Sequence, residues 1–432
     1  MKKIKVGVLG SYRGNSMIRY CTESARAEVV AICDKWEEGL RKQQAQHKDE
    51  NITYYTSFDE FIKHDMDAVV LANYANEHAP FAIRCMEAGK HVFSEVLPAQ
   101  NMDEAVRLIE CVEKTGMVYA YGENYCYMRG PMEMRKLYRE GAIGEFEYGE
   151  CEYIHNCESI WPDISYGDPE HWRNNMYSTF YCTHSLGPII HITGLRPVSV
   201  IGMEGVKNER HLRVGAKGGQ FGIEMVTLEN DGIVKSIHGG LYENSVWYSI
   251  YGGHGRMETA REDAENGAYS RIYVKKDPYS GGYDKNKLET YLPEERDTTD
   301  TGSFGHGGSD FFSMDNFMRK LQGDDAADTI DVYEALDMWM PGLFAYFSIL
   351  DGNKPQSIPN LRNKEERDAW RGDKRCTDKN AAGDQLLPSF SKGTPSIEPE
   401  VYELIRNEWK KHCEESGVYT QRKVFVQPEP KN

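Results

Sequence analysis

The stretch from Ile4 to Asp34 restricts the fold more than any other part of the chain. Ile4–Leu9 is an apolar, β-branched run that stops at Gly10, and Gly10-Ser11-Tyr12-Arg13-Gly14 then leads into a helical pattern. Residues 28–33 (EVVAIC) form a second apolar run, closed by Asp34. Further runs follow at 68–72 (AVVLA) and His91–Ser94. Continuous apolar strands of this kind suit a parallel sheet covered on both faces by helices. The intervening helices carry start signals, because Ser57 with Glu60 and Asn101 with Glu104 have capping-box spacing.

Strand, helix and strand in repetition make residues 1–125 a doubly wound α/β domain of the Rossmann type. A glycine turn between strand and helix lets the backbone approach a pyrophosphate, while the helix N-terminus supplies N–H donors. The turn departs from G-x-G-x-x-G, since Tyr12 stands where the second glycine belongs. Asp34 strengthens the assignment. It lies about 24 residues after Gly10, where a carboxylate accepts from the adenosine ribose hydroxyls and repels a 2′-phosphate. The expected cofactor is NAD rather than NADP, held by Gly10, Ser11, Tyr12, Arg13, Gly14 and Asp34.

After residue 125 the pattern changes. Residues 145–155 (EFEYGECEYIH) alternate as a half-exposed strand does, and residues 198–204, Phe221–Leu228, Ile233–Gly239 and 245–251 follow suit. They predict an α+β domain over 126–375 with an open, mostly antiparallel sheet. One face of that sheet would carry helices and the other a partner subunit. A long helix is expected over 329–350, kinked at Pro341 and Gly342. Residues 376–432 read as a polar extension with one helix over 399–415.

The 51 Lys and Arg against 68 Asp and Glu give a net charge of −17, which argues against a nucleic-acid partner. No apolar window approaches the roughly 18 residues of a membrane span. Ten scattered cysteines point to a reduced, cytoplasmic protein. No CxxC pair or HExxH is present, so no metal site is expected.

The stretches VGVLGSYRG and AVVLANYANEHAPFAIRCMEAGKHVFSE resemble the Gfo/Idh/MocA oxidoreductases, over roughly residues 3 to 375. That resemblance implies a Rossmann domain joined to an open-sheet substrate domain, a homo-oligomer, and cofactor contacts from Asn73, His78, Glu95 and Asn124. The family's Glu-Lys-Pro is replaced here by Glu95-Val96-Leu97-Pro98, so its lysine is missing. The motifs GENYCY (122–127), EYIH (152–155), YCTHSLGP (181–188) and GHGGSDF (305–311) are similar to those of NAD-dependent glycosidases of the α-N-acetylgalactosaminidase type. Those relatives also lack the lysine and have Glu-Val-Pro; here Leu97 intervenes.

The resemblance implies a sugar or glycoside substrate, oxidised at C3, deprotonated at C2, relieved of its C1 group by elimination, hydrated by addition of water, and reduced again. Such chemistry needs one group to take the hydroxyl proton and another to act at C2 and C1. Tyr181 and His184 share one face of a helical turn. Phe180 occupies the place where the broader family has an aspartate. Tyr153 and His155 fall on one side of a strand. Tyr153 matches a catalytic tyrosine of the glycosidase branch, and Glu123 resembles a carboxylate set between cofactor and sugar. Trp172 and Arg173 are candidates to stack on and hydrogen-bond to the sugar, with His306 a further ligand contact. The competing readings are a core hydrogen-bonding pair for Tyr181 and His184, an aromatic core stripe for Tyr153, and plain loop residues for Glu123 and His306. Three functions remain open: a glycoside hydrolase working through a 3-keto sugar, a sugar or cyclitol dehydrogenase that stops at the ketone, and a non-catalytic nucleotide-binding relative.

Overall fold

The computed structural model describes residues 2–48, 50–207, 209–267, 269–277, 288–294 and 304–416. Residues 417–432 of the expected C-terminal extension lie outside the described residues. β1 (Ile4–Leu9), β2 (Ala27–Cys33), β3 (Thr53–Tyr55), β4 (Ala68–Leu71), β5 (His91–Ser94) and β6 (Tyr119–Tyr121) form one sheet in the order β3-β2-β1-β4-β5-β6. All its pairings are parallel. Val6, Val8, Val69 and Val70 are fully buried, as strands covered on both faces require. The strand order turns around between β1 and β4, which opens a crevice past their C-terminal ends. Gly10 sits there with φ of 100°, and a Cβ on it would lie 2.3 Å from the Ala72 carbonyl oxygen. Only glycine allows the ends of β1 and β4 to come so close. α1 (Asn15–Glu23) starts directly after this turn.

α2 (Met102–Thr115) has the expected cap: Asn101 Oδ1 accepts from Glu104 N at 2.9 Å. Glu104 in turn accepts from Gln100 N at 2.8 Å. Ser57 takes the N-cap position of Phe58–Phe61, but its side chain accepts no backbone N–H there.

The second sheet contains β7 (Phe146–Ile154), β8 (Pro197–Glu204), β9 (Phe221–Leu228), β10 (Ile233–Gly239), β11 (Ser245–Gly252), β12 (Gly255–Thr259), β13 (Ile272–Lys276), β14 (Glu289–Tyr291) and β15 (Gln356–Ser357). Their order is β14-β13-β12-β11-β7-β10-β9-β8-β15, and β10 with β7 is the parallel pair in an otherwise antiparallel set. Its covered face packs on α4 (Thr183–Thr193) and α6 (Val332–Leu350), which follow α3 (Trp161–Ser165) and α5 (Ser309–Leu321) in the chain. α6 runs on through Pro341 and Gly342, where the sequence predicts a kink. Proline removes one N–H from the helix ladder. Here Thr179 Oγ1 donates to the Gly342 carbonyl at 2.7 Å, and Cys182 Sγ to that of Met338 at 3.3 Å.

The chain does not leave its first half behind at residue 125. Phe304, Met314, Phe317 and Met318, around and within α5, share a core with Val6, Val8, Met17 and Tyr20. Asp315 accepts from Tyr20 Oη at 2.8 Å and Arg26 Nε at 3.1 Å. Further on, Arg367 pairs with Glu113 at 2.7 Å and Arg371 with Glu110 at 2.6 Å, tying the end of the second half to α2. α7 (Pro399–Ser416) then lies against α3. None of the described helices is long and apolar enough to cross a membrane.

Candidate active site

A cleft of about 650 Å³ opens past the C-terminal ends of β1, β4, β5 and β6. The Rossmann half contributes Tyr12, Arg13, Asn73, Glu95, Asn124 and Tyr125 to it. Across from them stand Tyr153, His155, Trp172, Arg173, Tyr181 and His184, with His306 closing one side. Residues distant in sequence are thus gathered where an open α/β sheet binds its ligands.

His184, in the first turn of α4, donates from Nδ1 to Glu123 Oε1 at 2.7 Å. Glu123 has no exposed surface and does not line the cleft. The family resemblance implies a place for it between cofactor and sugar; its carboxylate lies instead behind the imidazole, because the turn after β6 points inward there. An ionised carboxylate only accepts, so Nδ1 carries the proton and Nε2 is left for the cleft. Tyr248 Oη also donates to the His184 carbonyl at 2.7 Å, fixing the start of the helix.

Three tyrosine rings surround this histidine. Tyr181 stacks on it at 5.6 Å with 3° between planes, and Tyr125 and Tyr153 stand at 4.8 and 4.6 Å. Burial raises the Tyr181 hydroxyl pKa, opposed by the Arg173 guanidinium. Arg173 lies 4.6 Å above the Trp172 ring and 5.7 Å from that of Tyr181. Burial likewise holds Tyr153 well above its usual value and lowers His155. His155, its ring desolvated where it lines the cleft and its outer side open to solvent, accepts at Nδ1 from Tyr153 Oη at 3.0 Å. A hydrogen-bonded step therefore connects the aromatic floor to solvent.

On the cofactor side, Asp34 Oδ2 accepts from Ser11 N and Ser11 Oγ, both at 2.7 Å, and Oδ1 accepts from Trp36 N at 2.9 Å. The carboxylate is thereby fixed beside the glycine turn. Asn73 Oδ1 and Asn124 Oδ1 are buried without hydrogen-bond partners, while both residues line the cleft. Buried polar atoms are normally paired, so open acceptors here mark a place for donors of a bound molecule. Glycine turn, acid and unpaired amides fit a dinucleotide.

Arg13 is occupied by carboxylates rather than free for a phosphate. It forks onto Asp310 at 2.7 and 2.9 Å and reaches Glu95 at 2.7 Å. Burial, with Asp310 nearby, raises the Glu95 pKa. Burial works the same way on Asp310, but His306 and Arg13 outweigh it and hold that acid low. His306 Nδ1 lies 3.3 Å from Asp310. His78 is also placed differently from the sequence reading. It is buried outside the cleft and donates from Nδ1 to the Leu97 carbonyl at 3.0 Å, with burial lowering its pKa to about 4. Its work is to hold the turn that replaces Glu-Lys-Pro. Tyr125, Asp310 and Tyr248 were not singled out from the sequence. Tyr125 and Asp310 sat inside quoted motifs, whereas Tyr248 had no local signal.

Residues 4–123 match the sequence model of an oxidoreductase family with an NAD-binding Rossmann fold, Gfo/Idh/MocA. A glycosyl hydrolase family 109 protein from Solibacter usitatus (strain Ellin6076) is 26% identical over 399 residues, covering 83% of this chain and 88% of the relative. Another from Shewanella pealeana (strain ATCC 700345 / ANG-SQ1) is 29% identical over 209 residues, 44% of each chain. Among solved structures, an oxidoreductase from Agrobacterium radiobacter in complex with NAD+, L-tartaric acid and magnesium superposes with a TM-score of 0.68 at 15% identity, covering 82% of this chain and 98% of that one. Over residues 4–123 the chain thus matches the NAD-binding Rossmann region of the Gfo/Idh/MocA oxidoreductases, and it is an enzyme whose Rossmann domain uses NAD.

Proposed function

We propose that the protein is an NAD-dependent glycoside hydrolase that acts by transient oxidation of the sugar. The observation that carries this reading is the His184–Tyr181 pair, backed by Glu123 and set on the cleft wall opposite the cofactor residues, in a chain with Val96 where dehydrogenases of the family have lysine. The names of the two relatives support the same choice. When bound, NAD would take up and return a hydride at sugar C3.

His184, its Nδ1–H committed to Glu123, offers Nε2 to the C3 hydroxyl proton. Tyr181, whose ionised form the Arg173 guanidinium favours against burial, takes the acidified C2 proton as the C1 group leaves; water then adds at C1 and a proton returns to C2 before the ketone is reduced again. Tyr153 passes protons to His155 and thence to solvent. Trp172 and Arg173 hold the ring. Asn73, Asn124, Ser11 and Asp34 hold the cofactor, with Gly10 and Gly14 allowing close approach of the backbone. The cleft residues act on a small molecule, and the ten cysteines are all free thiols, which supports a reducing, cytoplasmic setting. The side of the second sheet away from α4 and α6 carries Met203, Ile233 and Tyr251 in exposed positions, and it is the face we assign to a homo-oligomer.

Purified, NAD-loaded protein incubated with a panel of nitrophenyl glycosides tests this. The expected result is release of nitrophenol over many turnovers with no added oxidant or reductant. Stoichiometric NADH accumulation from free sugars, without nitrophenol release, would instead make the protein a dehydrogenase that stops at the ketone.

A further inference from the structure

The cleft has two chemically different ends. Around Tyr181 and His184 it is polar and aromatic. Away from them it runs onto Trp161 and Ile164 of α3, Met176, Val214 and Ala216, which form a hydrophobic cluster of their own and also line the cleft. Ile160, next to Trp161, lines the same end and is 42% exposed. The indole N–H of Trp161 is bonded to Asn174 Oδ1 at 3.1 Å, so its remaining surface there is apolar. The carboxylates that line the cleft are Glu95 and Glu158. Arg13 takes the first, and Arg210 and Arg213 the second. Asn156, Arg210 and Gln220 also line the cleft, but Arg210 donates to Asn156 and Glu158 and Gln220 to the Gly240 carbonyl, so a sugar chain extending this way would have to displace existing bonds. An apolar group would cover exposed hydrocarbon.

The walls of this end are also braced. Tyr402 of α7 donates to the Gly215 carbonyl at 3.1 Å, between Val214 and Ala216. From the same helix Arg406 donates to the Gly167 carbonyl at 2.9 Å, and His412 lies 3.2 Å from Asp163 on α3. Tyr166 packs on Trp409 with ring centres 5.7 Å apart. The C-terminal helix thus pins both sides of the apolar end, which keeps its shape fixed before a ligand arrives.

We propose that this end of the cleft binds an apolar aglycone, so that the substrate is a glycoside of a hydrophobic alcohol or phenol rather than of another sugar. The proposal rests on the glycosidase reading for the sugar end only. The experiment compares methyl and cyclohexylmethyl glycosides of whichever sugar the nitrophenyl panel selects, since both release simple alkanols. With full-length, NAD-loaded protein, KM for the cyclohexylmethyl glycoside should be about 10- to 100-fold lower, in line with burial of a ring's worth of apolar surface. Ile164→Asn and the milder Val214→Thr should raise that KM by about 10-fold and leave the methyl glycoside unchanged. Equal KM values, or variants that change both substrates alike, would overturn the proposal. Calorimetric titration with 2-naphthol tests the apolar end without any turnover: binding to the unaltered protein that weakens in both variants supports it, and no binding overturns it. If no glycoside is turned over but 2-naphthol still binds in this way, the glycosidase reading fails and the apolar site stands.

Discussion

Glu123 illustrates how a residue's work is decided by a single contact. Its carboxylate touches neither cleft nor solvent, yet the 2.7 Å bond to His184 sets which imidazole nitrogen faces the substrate. Glu123→Gln keeps the shape but allows the other tautomer. It should leave the fold and NAD binding intact while lowering turnover by about 10²-fold or more, within the range for a lost general acid or base. Steady-state kinetics beside His184→Ala and Tyr181→Phe checks this, and the three losses should not add, because the residues act as one unit. Asp34 carries a separate expectation. Asp34→Ala removes the acceptor held beside Ser11, so NAD retention should weaken and discrimination against NADP should relax, measured by titration with both cofactors. Tyr181, His184 and Tyr153 sit in short motif strings, and Trp172 and Arg173 stand out for preceding the Tyr181–His184 turn; the structure brings all five to the cleft. The inward turn of Glu123 and the burial of His78 were not legible in the sequence, since neither follows from spacing. The Arg13–Asp310 pair joins residues almost 300 positions apart and leaves no local pattern.

At the scale of elements, apolar runs gave reliable strands where they were continuous. Ile4–Leu9, His91–Ser94, Phe221–Leu228 and Ile233–Gly239 begin and end where the pattern indicates. β3, β6 and β12 through β15 escaped notice because two to five residues are too few to display a period. Around Pro341 the helix runs on, and Thr179 and Cys182, from a distant segment, donate to the Gly342 and Met338 carbonyls on either side of it. The contact between α4 and α6 makes a pH prediction. His191 Nδ1 on α4 lies 2.6 Å from Glu334 on α6, and Nε2 is 3.5 Å from Asp328. Burial opposes protonation, but Glu334 and Asp328 outweigh it and raise the folded pKa above 6.5. The pair's stabilisation is therefore full below pH 6.5 and is lost as pH rises through the higher folded value. Thermal melts should show the difference between the native protein and His191→Gln shrinking from pH 6 to pH 9. A difference that stays constant over that range would remove the ion pair from the account.

For the whole molecule, the two halves cooperate through segments that recross between them. α5 is built into the Rossmann core, Asp310 grips Arg13, and the active-site cleft draws its walls from both sheets. The alternation of strand and helix revealed two architectures, but not that the second supplies part of the first. This arrangement places His184 and Tyr181 opposite the cofactor residues, where we propose that they serve oxidation, elimination, water addition and re-reduction of one bound sugar. Hydrolysis of a glycoside in deuterium oxide, with the product examined by NMR, tests that claim directly. The expected result is deuterium at C2 of the released sugar and no net NADH. Rapid hydrolysis giving sugar with hydrogen retained at C2, together with no isotope effect from a C2-deuterated substrate, would contradict it.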